Sequence, residues 1–191
     1  MARATITDTI LDGEQFGSGK VKRDYLELLP PDKFRAEFLG RNWGPVSFFL
    51  PEFPGEQAAA GTPDLAAYLM LHDVNAWPLW SDATAWNRLY DALDAVDIVG
   101  AECFPYWRDS GTTADPRVLV SSYMGKSGTV LAVMNTGEAI EAKIALERQR
   151  LKRASLSAAV DVIRNEPMKA AGLTITVPLA RHQGRVLVVK P

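Results

Sequence analysis

The spacing of the apolar segments changes near Arg117, and this change constrains the fold more than any other feature of the sequence. Before it, apolar runs typical of buried strands alternate with segments at helical spacing. After it, short strand candidates follow one another, separated by turns and without helices between them. The first pattern predicts a parallel sheet with crossover helices, and the second predicts an antiparallel sandwich. We therefore predict an α/β domain over 1–112 followed by an all-β domain over 113–191.

The first part contains four apolar runs of the kind that form buried strands. They lie within Thr5–Phe16 and at Val46–Leu50, Val74–Trp80 and Ile98–Tyr106. Three helices are predicted between or beside them: from Pro31 or Asp32 to Leu39, from an N-cap at Thr62 to about His72, and from a cap at Ser81 to about Val96. Because strands and helices alternate, we expect the four strands to be parallel.

The second part contains six short strand candidates. They are Val118–Tyr123, Thr129–Asn135, Ile140–Leu146, Ala159–Ile163, Leu173–Pro178 and Arg185–Val189. The charged stretch Glu147–Arg153 is interpreted as a solvated connection rather than a basic binding patch. This series is typical of an antiparallel β-sandwich.

The first strand candidate stops at two carboxylates, Asp12 and Glu14, which are separated by Gly13. Side chains alternate across a strand, so both acids face one side if the strand persists through Glu14. Two close carboxylates also shift each other's pKa, as the groups of many active sites do. Asp12 and Glu14 are therefore the candidate catalytic residues. The alternative is structural, with Asp12 capping a turn and Glu14 paired with an arginine such as Arg35.

Five further residues near predicted strand ends are candidate substrate-binding residues. They are Glu52, Asp73, Trp80, Glu102 and Trp107. Carboxylates accept hydrogen bonds from sugar hydroxyls, and aromatic faces suit the apolar C–H surfaces of pyranose rings. The alternative is that each acid is solvated or salt-bridged. The aromatic residues, with Trp77 and Tyr106, would then close the floor of an α/β barrel, if the parallel strands form one, or the interface with the sandwich.

Several function classes are disfavoured by the sequence. A net charge of -2 argues against a nucleic-acid partner, and no apolar segment is long enough to cross a membrane. Gly17–Lys20 is not a phosphate-binding loop, because five residues rather than four separate Gly13 from Gly19 and Val21 replaces the required Ser or Thr. We expect no cofactor and, because the two histidines lie far apart in sequence, no metal.

Cys103 is the single cysteine, so an internal disulfide is impossible. Its neighbours in a predicted strand favour a buried thiol over a reactive one. Localisation stays open, with the cytoplasm expected if the chain is complete as given.

A series of short motifs resembles the carboxyl-terminal portion of glycoside-hydrolase-like proteins related to glycoside hydrolase family 123. The motifs are Leu11–Phe16 (LDGEQF), Phe34–Arg41 (FRAEFLGR), Trp43–Gly44, Leu50–Phe53 (LPEF), Leu71–Val74 (LHDV), Trp77–Trp80 (WPLW) and Phe104–Trp107 (FPYW). The resemblance implies a (β/α)8 catalytic barrel followed by a β-sandwich. A whole barrel takes about 250 residues, so the resemblance implies that the first part is a half TIM-like barrel.

The resemblance does not supply catalytic residues. Characterised members of that family use an adjacent Asp-Glu pair together with the N-acetyl group of the substrate, and this sequence contains no Asp-Glu dipeptide. The pair either lies in a first half that is absent here, or is replaced by other acids, or there is no catalysis.

Two functions follow as hypotheses. In the first, the chain is part of a glycoside-hydrolase-like protein and binds or hydrolyses a saccharide at the carboxyl ends of the barrel strands. The second is a non-catalytic half-barrel that acts as a carbohydrate-binding or assembly module. Because half a barrel leaves unpaired sheet edges, we also expect a partner, either an identical chain or a separately encoded first half-barrel.

Overall fold

The computed structural model describes residues 9–13, 24–38, 46–53, 55–108, 113–147 and 155–190. The α-helices in these ranges are Pro31–Phe38 (α1), Gln57–Leu71 (α2) and Ala83–Ala95 (α3), and Tyr25–Glu27 forms a 3-10 helix. The strands are Thr9–Asp12 (β1), Val46–Phe49 (β2), Asn75–Ala76 (β3), Glu102–Phe104 (β4), Val118–Met124 (β5), Thr129–Asn135 (β6), Ile140–Ala145 (β7), Ala158–Asp161 (β8), Glu166–Pro167 (β9), Lys169–Ala171 (β10), Thr174–Leu179 (β11) and Gly184–Lys190 (β12). Among these described residues, no helix is both long and apolar enough to cross a membrane.

The first three strands form a parallel sheet in the order β1-β2-β3, as predicted. Its register aligns Asp12 with Phe49 and Phe49 with Ala76, so the three strands end in one row. Phe49 is fully buried on the side of the helices, where its ring contacts those of Phe34 and Phe38. The helices therefore cover one face of this sheet.

The remaining strands form two antiparallel sheets. One has six strands in the order β4-β5-β6-β12-β8-β9, and the other has three in the order β10-β11-β7. A buried apolar cluster that includes Leu131, Ile144, Ile175 and Leu187 fills the space between them. The predicted antiparallel strands are present with nearly the expected bounds, although β9 and β10 were not predicted.

The predicted fourth parallel strand is wrong. Glu102–Phe104 pairs antiparallel with β5, with Glu102 opposite Met124, and so belongs to the six-stranded sheet. Asp97 and Gly100 adopt positive φ angles of 51° and 76° just before it, which turns the chain after α3. Pairing there satisfies the backbone groups along an edge of β5 that would otherwise be open.

Two predicted helix starts also need correction. Helix α2 begins at Gln57 rather than after Thr62, whose hydroxyl donates to the carbonyl of Ala58 at 2.7 Å inside the helix. Helix α3 is capped by Asp82, which accepts the Thr84 N–H at 2.9 Å, and not by Ser81. The Ser81 hydroxyl instead accepts a hydrogen bond from the indole N–H of Trp86 at 2.8 Å.

Helix α2 joins the two parts, because it contacts β3 and α3 as well as β5, β6 and β12. One apolar cluster includes Phe49, Tyr68 and Val186 and so spans the helices and the outer face of the six-stranded sheet. A Cβ at Gly184 would lie 2.6 Å from the Cβ of Ala67, so a glycine is required where β12 crosses α2. Residues 109–112 lie outside the described residues, and the division into domains 1–112 and 113–191 stays a prediction.

Candidate functional site

The carboxyl ends of β1, β2 and β3 lie in one row, and the segments that follow them form the candidate site. Gly13 follows β1 with φ of 115°, and a Cβ there would lie 3.1 Å from the backbone N and O of Leu50. Only glycine combines this conformation with so close an approach. Gly13 therefore fixes how the chain leaves β1 beside the end of β2.

Backbone hydrogen bonds hold Glu52 at this edge. Its N–H donates to the Tyr25 hydroxyl at 2.7 Å, and the N–H of Phe53 donates to the Trp80 carbonyl at 3.1 Å. The Trp77 N–H donates to the Phe49 carbonyl at 2.9 Å. The segments after β2 and β3 are thus joined to each other, and Glu52 is half-buried between them.

Tyr25 supports this edge from the 3-10 helix. Its ring meets those of Phe49 and Phe53 edge-on, with centroids 5.2 Å away in each case. The pKa of Tyr25 rises to about 12, mainly because the phenol is buried. The hydrogen bond from the Glu52 N–H lowers this pKa, and the negative charge of Glu52 raises it. The phenol therefore stays protonated at neutral pH. From the sequence, Tyr25–Leu29 reads only as an apolar turn, and nothing local indicates a contact 27 residues away.

Residues 77–80, here called the aromatic loop, expose large apolar side chains at the same edge. Trp77 is 52% exposed, Leu79 46% and Trp80 53%. Trp80 has a positive φ of 49°, an unusual conformation for a bulky residue. An exposed group of aromatic side chains beside a carboxylate is typical of a surface that binds a sugar or another ligand with an apolar face.

The other predicted site residues lie in different places. Asp12 ends β1 in the row described above, whereas Glu14 lies outside the described residues. Asp73 precedes β3 with φ of 57°, at the amino end of the parallel strands and away from Glu52. Glu102 is exposed at the start of β4 in the six-stranded sheet. The structure thus brings Asp12, Glu52 and Trp80 to one edge, and places Asp73 and Glu102 elsewhere.

Trp107 belongs to a group of aromatic side chains around His72. Its ring stacks on the His72 ring at 6.0 Å, and the guanidinium of Arg35 lies 4.8 Å from its centroid. His72 is buried, with Nδ1 2.9 Å from the Tyr68 carbonyl and Nε2 3.3 Å from the Tyr106 hydroxyl. These contacts favour the packing alternative for Trp107, and its contact with a saccharide stays a prediction.

Burial also controls protonation in this group. It lowers the pKa of His72 to about 4, the carbonyl of Tyr68 opposing and the charge of Arg35 reinforcing the shift. His72 is therefore neutral at pH 7. Burial raises the pKa of Tyr106 to about 12, so that residue is a protonated phenol. Neither group is poised to exchange a proton near neutral pH, which suits a structural role.

No protein-family model matches the sequence, and no curated protein is significantly similar to it. The solved structures with a partial likeness to the chain include glycoside hydrolases. A family 30 endoxylanase from Clostridium papyrosolvens is 17% identical with a TM-score of 0.47, over 77% of this chain and 42% of that one. A family 30 subfamily 8 xylanase from Clostridium acetobutylicum is 14% identical with a TM-score of 0.47, over 91% and 46%.

A family 27 β-L-arabinopyranosidase from Geobacillus stearothermophilus is 15% identical with a TM-score of 0.33, over 40% of this chain and 18% of that one. The chain thus spans less than half the length of each of these three proteins. Similarities of this size establish neither a shared substrate nor a shared activity.

Proposed function

We propose that the chain is the saccharide-binding part of a glycoside-hydrolase-like protein, with its site at the carboxyl ends of β1, β2 and β3. The observation that carries the proposal is the hydrogen bond by which Phe53, the neighbour of Glu52, joins the segment after β2 to Trp80. Phe53 N–H donates to the Trp80 carbonyl at 3.1 Å, which holds a half-buried carboxylate and a half-exposed indole on adjoining segments. Together they offer hydrogen-bond acceptors and an apolar platform to one sugar ring.

Hydrolysis would require a second carboxyl group across the scissile bond from the first. Asp12 is a candidate because it ends β1 opposite Phe49, three residues before Glu52. Glu14, which lies outside the described residues, remains a candidate from the sequence. In such a reaction one carboxylic acid protonates the leaving oxygen while the other acts as nucleophile or activates water. Asp73, Glu102 and Trp107 remain sequence predictions for substrate contact. Their positions away from this edge favour structural roles.

The second candidate function is a non-catalytic carbohydrate-binding or assembly module. The absence of an Asp-Glu dipeptide from the sequence favours it over hydrolysis by the mechanism of the family that the chain resembles. The two functions share the aromatic loop and differ in whether the carboxylates do chemistry. Substitutions of the acids and of the aromatic residues therefore separate them.

The experiment is a titration of the purified chain with a panel of soluble oligosaccharides, followed by calorimetry. Trp80→Ala and Glu52→Gln should each weaken binding by about tenfold or more, since stacking and charge-assisted hydrogen bonds each contribute about 1–3 kcal/mol. Tyr90→Ala is the matched control, because Tyr90 is a 41% exposed aromatic residue on α3. Binding that survives Trp80→Ala and Glu52→Gln together would contradict the proposed site.

Catalysis is tested with the same panel. If the chain hydrolyses a bound oligosaccharide, Asp12→Asn and Glu14→Gln should abolish turnover and leave binding nearly unchanged. Binding without hydrolysis in the unaltered chain, with a partner present or absent, would favour the non-catalytic module.

The proposal includes a partner for the uncovered face of the parallel sheet. Leu11 and Val46 are 51% and 40% exposed on β1 and β2. Phe48 shares their face, because Phe49 points to the helices and neighbouring side chains alternate. A closed barrel would bury this face, so we expect either a second copy of the chain or a separately encoded half-barrel against it.

Light scattering of the purified chain at micromolar concentration tests the homodimer. Leu11→Asp should shift a dimer to monomer because it puts a charge in an apolar contact. Val99→Asp is the control, since Val99 is 81% exposed outside this sheet. A stable monomer would contradict the homodimer and leave the separately encoded half-barrel as the partner to seek.

A further inference from the structure

We propose that Asp24, Glu27 and His182 form a binding site for a divalent transition-metal ion, with Zn²⁺ as the ion that the donors fit best. One ligand atom from each residue lies within 4.8 Å of the others. The three residues come from the 3-10 helix region and from the turn between β11 and β12. An ion there would connect segments that are 158 residues apart in the sequence.

The two oxygens of Asp24 already have separate roles. Oδ1 accepts the Leu26 N–H at 3.0 Å, which caps the 3-10 helix and fixes the orientation of the carboxylate. Oδ2 faces Nδ1 of His182 in direct contact. Hydrogen-bonded ligands of this kind are held in place before an ion arrives. An ion bound to Oδ2 would replace the hydrogen bond between Oδ2 and His182, with release of the proton between them, and would leave the cap at Oδ1 intact.

His182 is also held in a fixed position. It lies in a turn closed by the Gln183 N–H, which donates to the Ala180 carbonyl at 3.2 Å. The side chain of Asn135 donates to the same carbonyl at 2.8 Å and anchors the turn to β6. The side chain of His182 is only 14% exposed, so the imidazole has few other orientations. The imidazole of His182 is therefore held in one orientation before an ion binds.

Glu27 completes the donor set from the solvent side. Its carboxylate is 57% exposed and its Oε1 lies 3.6 Å from Arg181 Nη2. Arg181 also lies 3.6 Å from Glu138, so it retains an acidic neighbour if Glu27 turns toward an ion. Exposed ion pairs at this distance contribute little stability. Turning Glu27 toward an ion therefore costs little free energy.

The space beside Asp24 and His182 fits an ion with further ligands, and the guanidinium of Arg181 also lines it. Asp24 and His182 line a cavity of about 340 Å³, which is far larger than the roughly 30 Å³ that a water molecule occupies. Asp64 lines the same cavity but is paired with Arg164 at 2.6 Å. Two carboxylates and one imidazole leave coordination positions for water or a small ligand.

The donor set points to the class of ion. An imidazole nitrogen suits Zn²⁺, Co²⁺ or Ni²⁺ and is not a usual ligand of Ca²⁺ or Mg²⁺, which prefer oxygen. Three protein ligands with an open position are also common in zinc sites that bind a further group. The sequence alone predicts no metal site, because the two histidines lie far apart along the chain. Here one histidine meets two acids that folding brings to it.

The site adjoins the candidate saccharide site through the 3-10 helix. Asp24 and Glu27 flank Tyr25, whose hydroxyl accepts the Glu52 N–H at 2.7 Å. An ion would fix this helix against the β11–β12 turn and so restrict the position of Tyr25. This coupling rests on the proposed function, whereas metal binding itself does not.

The test is a titration of the chelator-treated full chain with Zn²⁺, followed by calorimetry and by the unfolding temperature. We expect one saturable site, a higher unfolding temperature with Zn²⁺, and binding weakened by about tenfold or more in His182→Ala and Glu27→Gln. Imidazole must be deprotonated to bind, so affinity should fall as the solution is acidified. Mg²⁺ in place of Zn²⁺ should give no comparable change.

Two control variants identify the site. Cys103→Ser removes the single thiol, and Glu37→Gln removes an exposed acid on α1; both should bind Zn²⁺ as the unaltered chain does. If His182→Ala does not fold, the exposed Glu27→Gln variant decides. Absence of saturable binding, binding lost in Cys103→Ser, or binding retained within about twofold in Glu27→Gln would overturn the proposal. Saccharide binding that persists without Zn²⁺ would remove the coupling and leave both sites intact.

Discussion

The six-stranded sheet and the carboxyl edge of the parallel sheet have opposite surroundings. In β6 every residue is buried, and in β12 every residue except Lys190 is buried. Helix α2 covers one face of these strands, and the antiparallel sheet of β7, β10 and β11 covers the other. At the parallel edge, Trp77 and Trp80 are about half exposed. Apolar packing therefore holds β6 and β12 in place. At the edge of the parallel sheet, hydrogen bonds from backbone N–H groups to the Tyr25 hydroxyl and the Trp80 carbonyl hold the segments together. Substitutions in the six-stranded sheet should therefore lower stability, and substitutions at the edge of the parallel sheet should weaken ligand binding.

The largest effect is expected from the buried charges at the edge of the six-stranded sheet. Asp161 is inaccessible to solvent and accepts hydrogen bonds from Arg185 Nη1 at 2.8 Å and from the backbone of Ile163 and Arg164 at 3.1 Å each. Asp161→Ala removes the acceptor of two backbone N–H groups and one of the two acids paired with the buried Arg185, the other being Glu166. The free energy of unfolding should fall by about 3–5 kcal/mol in urea titrations.

The matched control is the exposed pair of Asp115 and Arg117, whose side chains lie 2.7 Å apart. Asp115→Asn should leave the urea midpoint almost unchanged, because solvent screens this pair. Equal losses in the two variants would show that the buried network does not stabilise the six-stranded sheet more than a surface pair does.

The next largest effect is expected from acidification at His72, at the other end of the parallel strands from Glu52. Its pKa is about 4 in the folded protein against the usual 6.5, so the unfolded chain binds the proton more readily. The contribution of His72 to stability is complete above about pH 6.5 and is lost as the pH falls toward 4, with a loss of about 3 kcal/mol.

Urea titrations between pH 8 and pH 4 measure this loss, with His72→Gln as the control that cannot titrate. Gln can still donate to the Tyr68 carbonyl and accept from the Tyr106 hydroxyl. The difference between the two proteins should narrow by about 3 kcal/mol over this pH range. A constant difference would mean that His72 has the same pKa in the folded and unfolded states.

Gly13→Ala should have an intermediate effect because it alters the parallel edge itself. Its φ of 115° is unfavourable for alanine, and the added Cβ would lie 3.1 Å from Leu50. We expect a loss of about 1–3 kcal/mol in the free energy of unfolding, together with weaker saccharide binding. Gly172→Ala is the control, since Gly172 has φ of 60° with no atom within 4 Å of an added Cβ, and only stability should change.

The sequence predicted those parts of the fold that packing determines. Thr129–Asn135 was predicted with the observed bounds because a continuous apolar run identifies a strand that is buried on both faces. Glu166–Pro167 and Lys169–Ala171 were missed because short, exposed strands carry no apolar pattern. The partner of a strand is not encoded locally either. For that reason the three-residue strand at Glu102 was assigned to the wrong sheet.

The candidate site was predicted only in outline. Parallel strands bring their carboxyl ends together, so Asp12, Glu52 and Trp80 could be placed at one edge from strand order alone. Tyr25 and the group of Asp24, Glu27 and His182 could not be found, because each depends on contacts between segments far apart in the chain.

Glu102→Gln should have the smallest effect, and it tests the comparison of the two regions most directly. Glu102 is exposed and lies opposite Met124 on β5, in the six-stranded sheet and not in the row that contains Asp12 and Phe49. The free energy of unfolding should change by less than about 0.5 kcal/mol, as for other surface substitutions. Saccharide affinity should stay within about twofold, whereas Glu52→Gln should lower it by about tenfold. A tenfold loss in Glu102→Gln would show that the saccharide site includes β4 and is not confined to the edge of the parallel sheet.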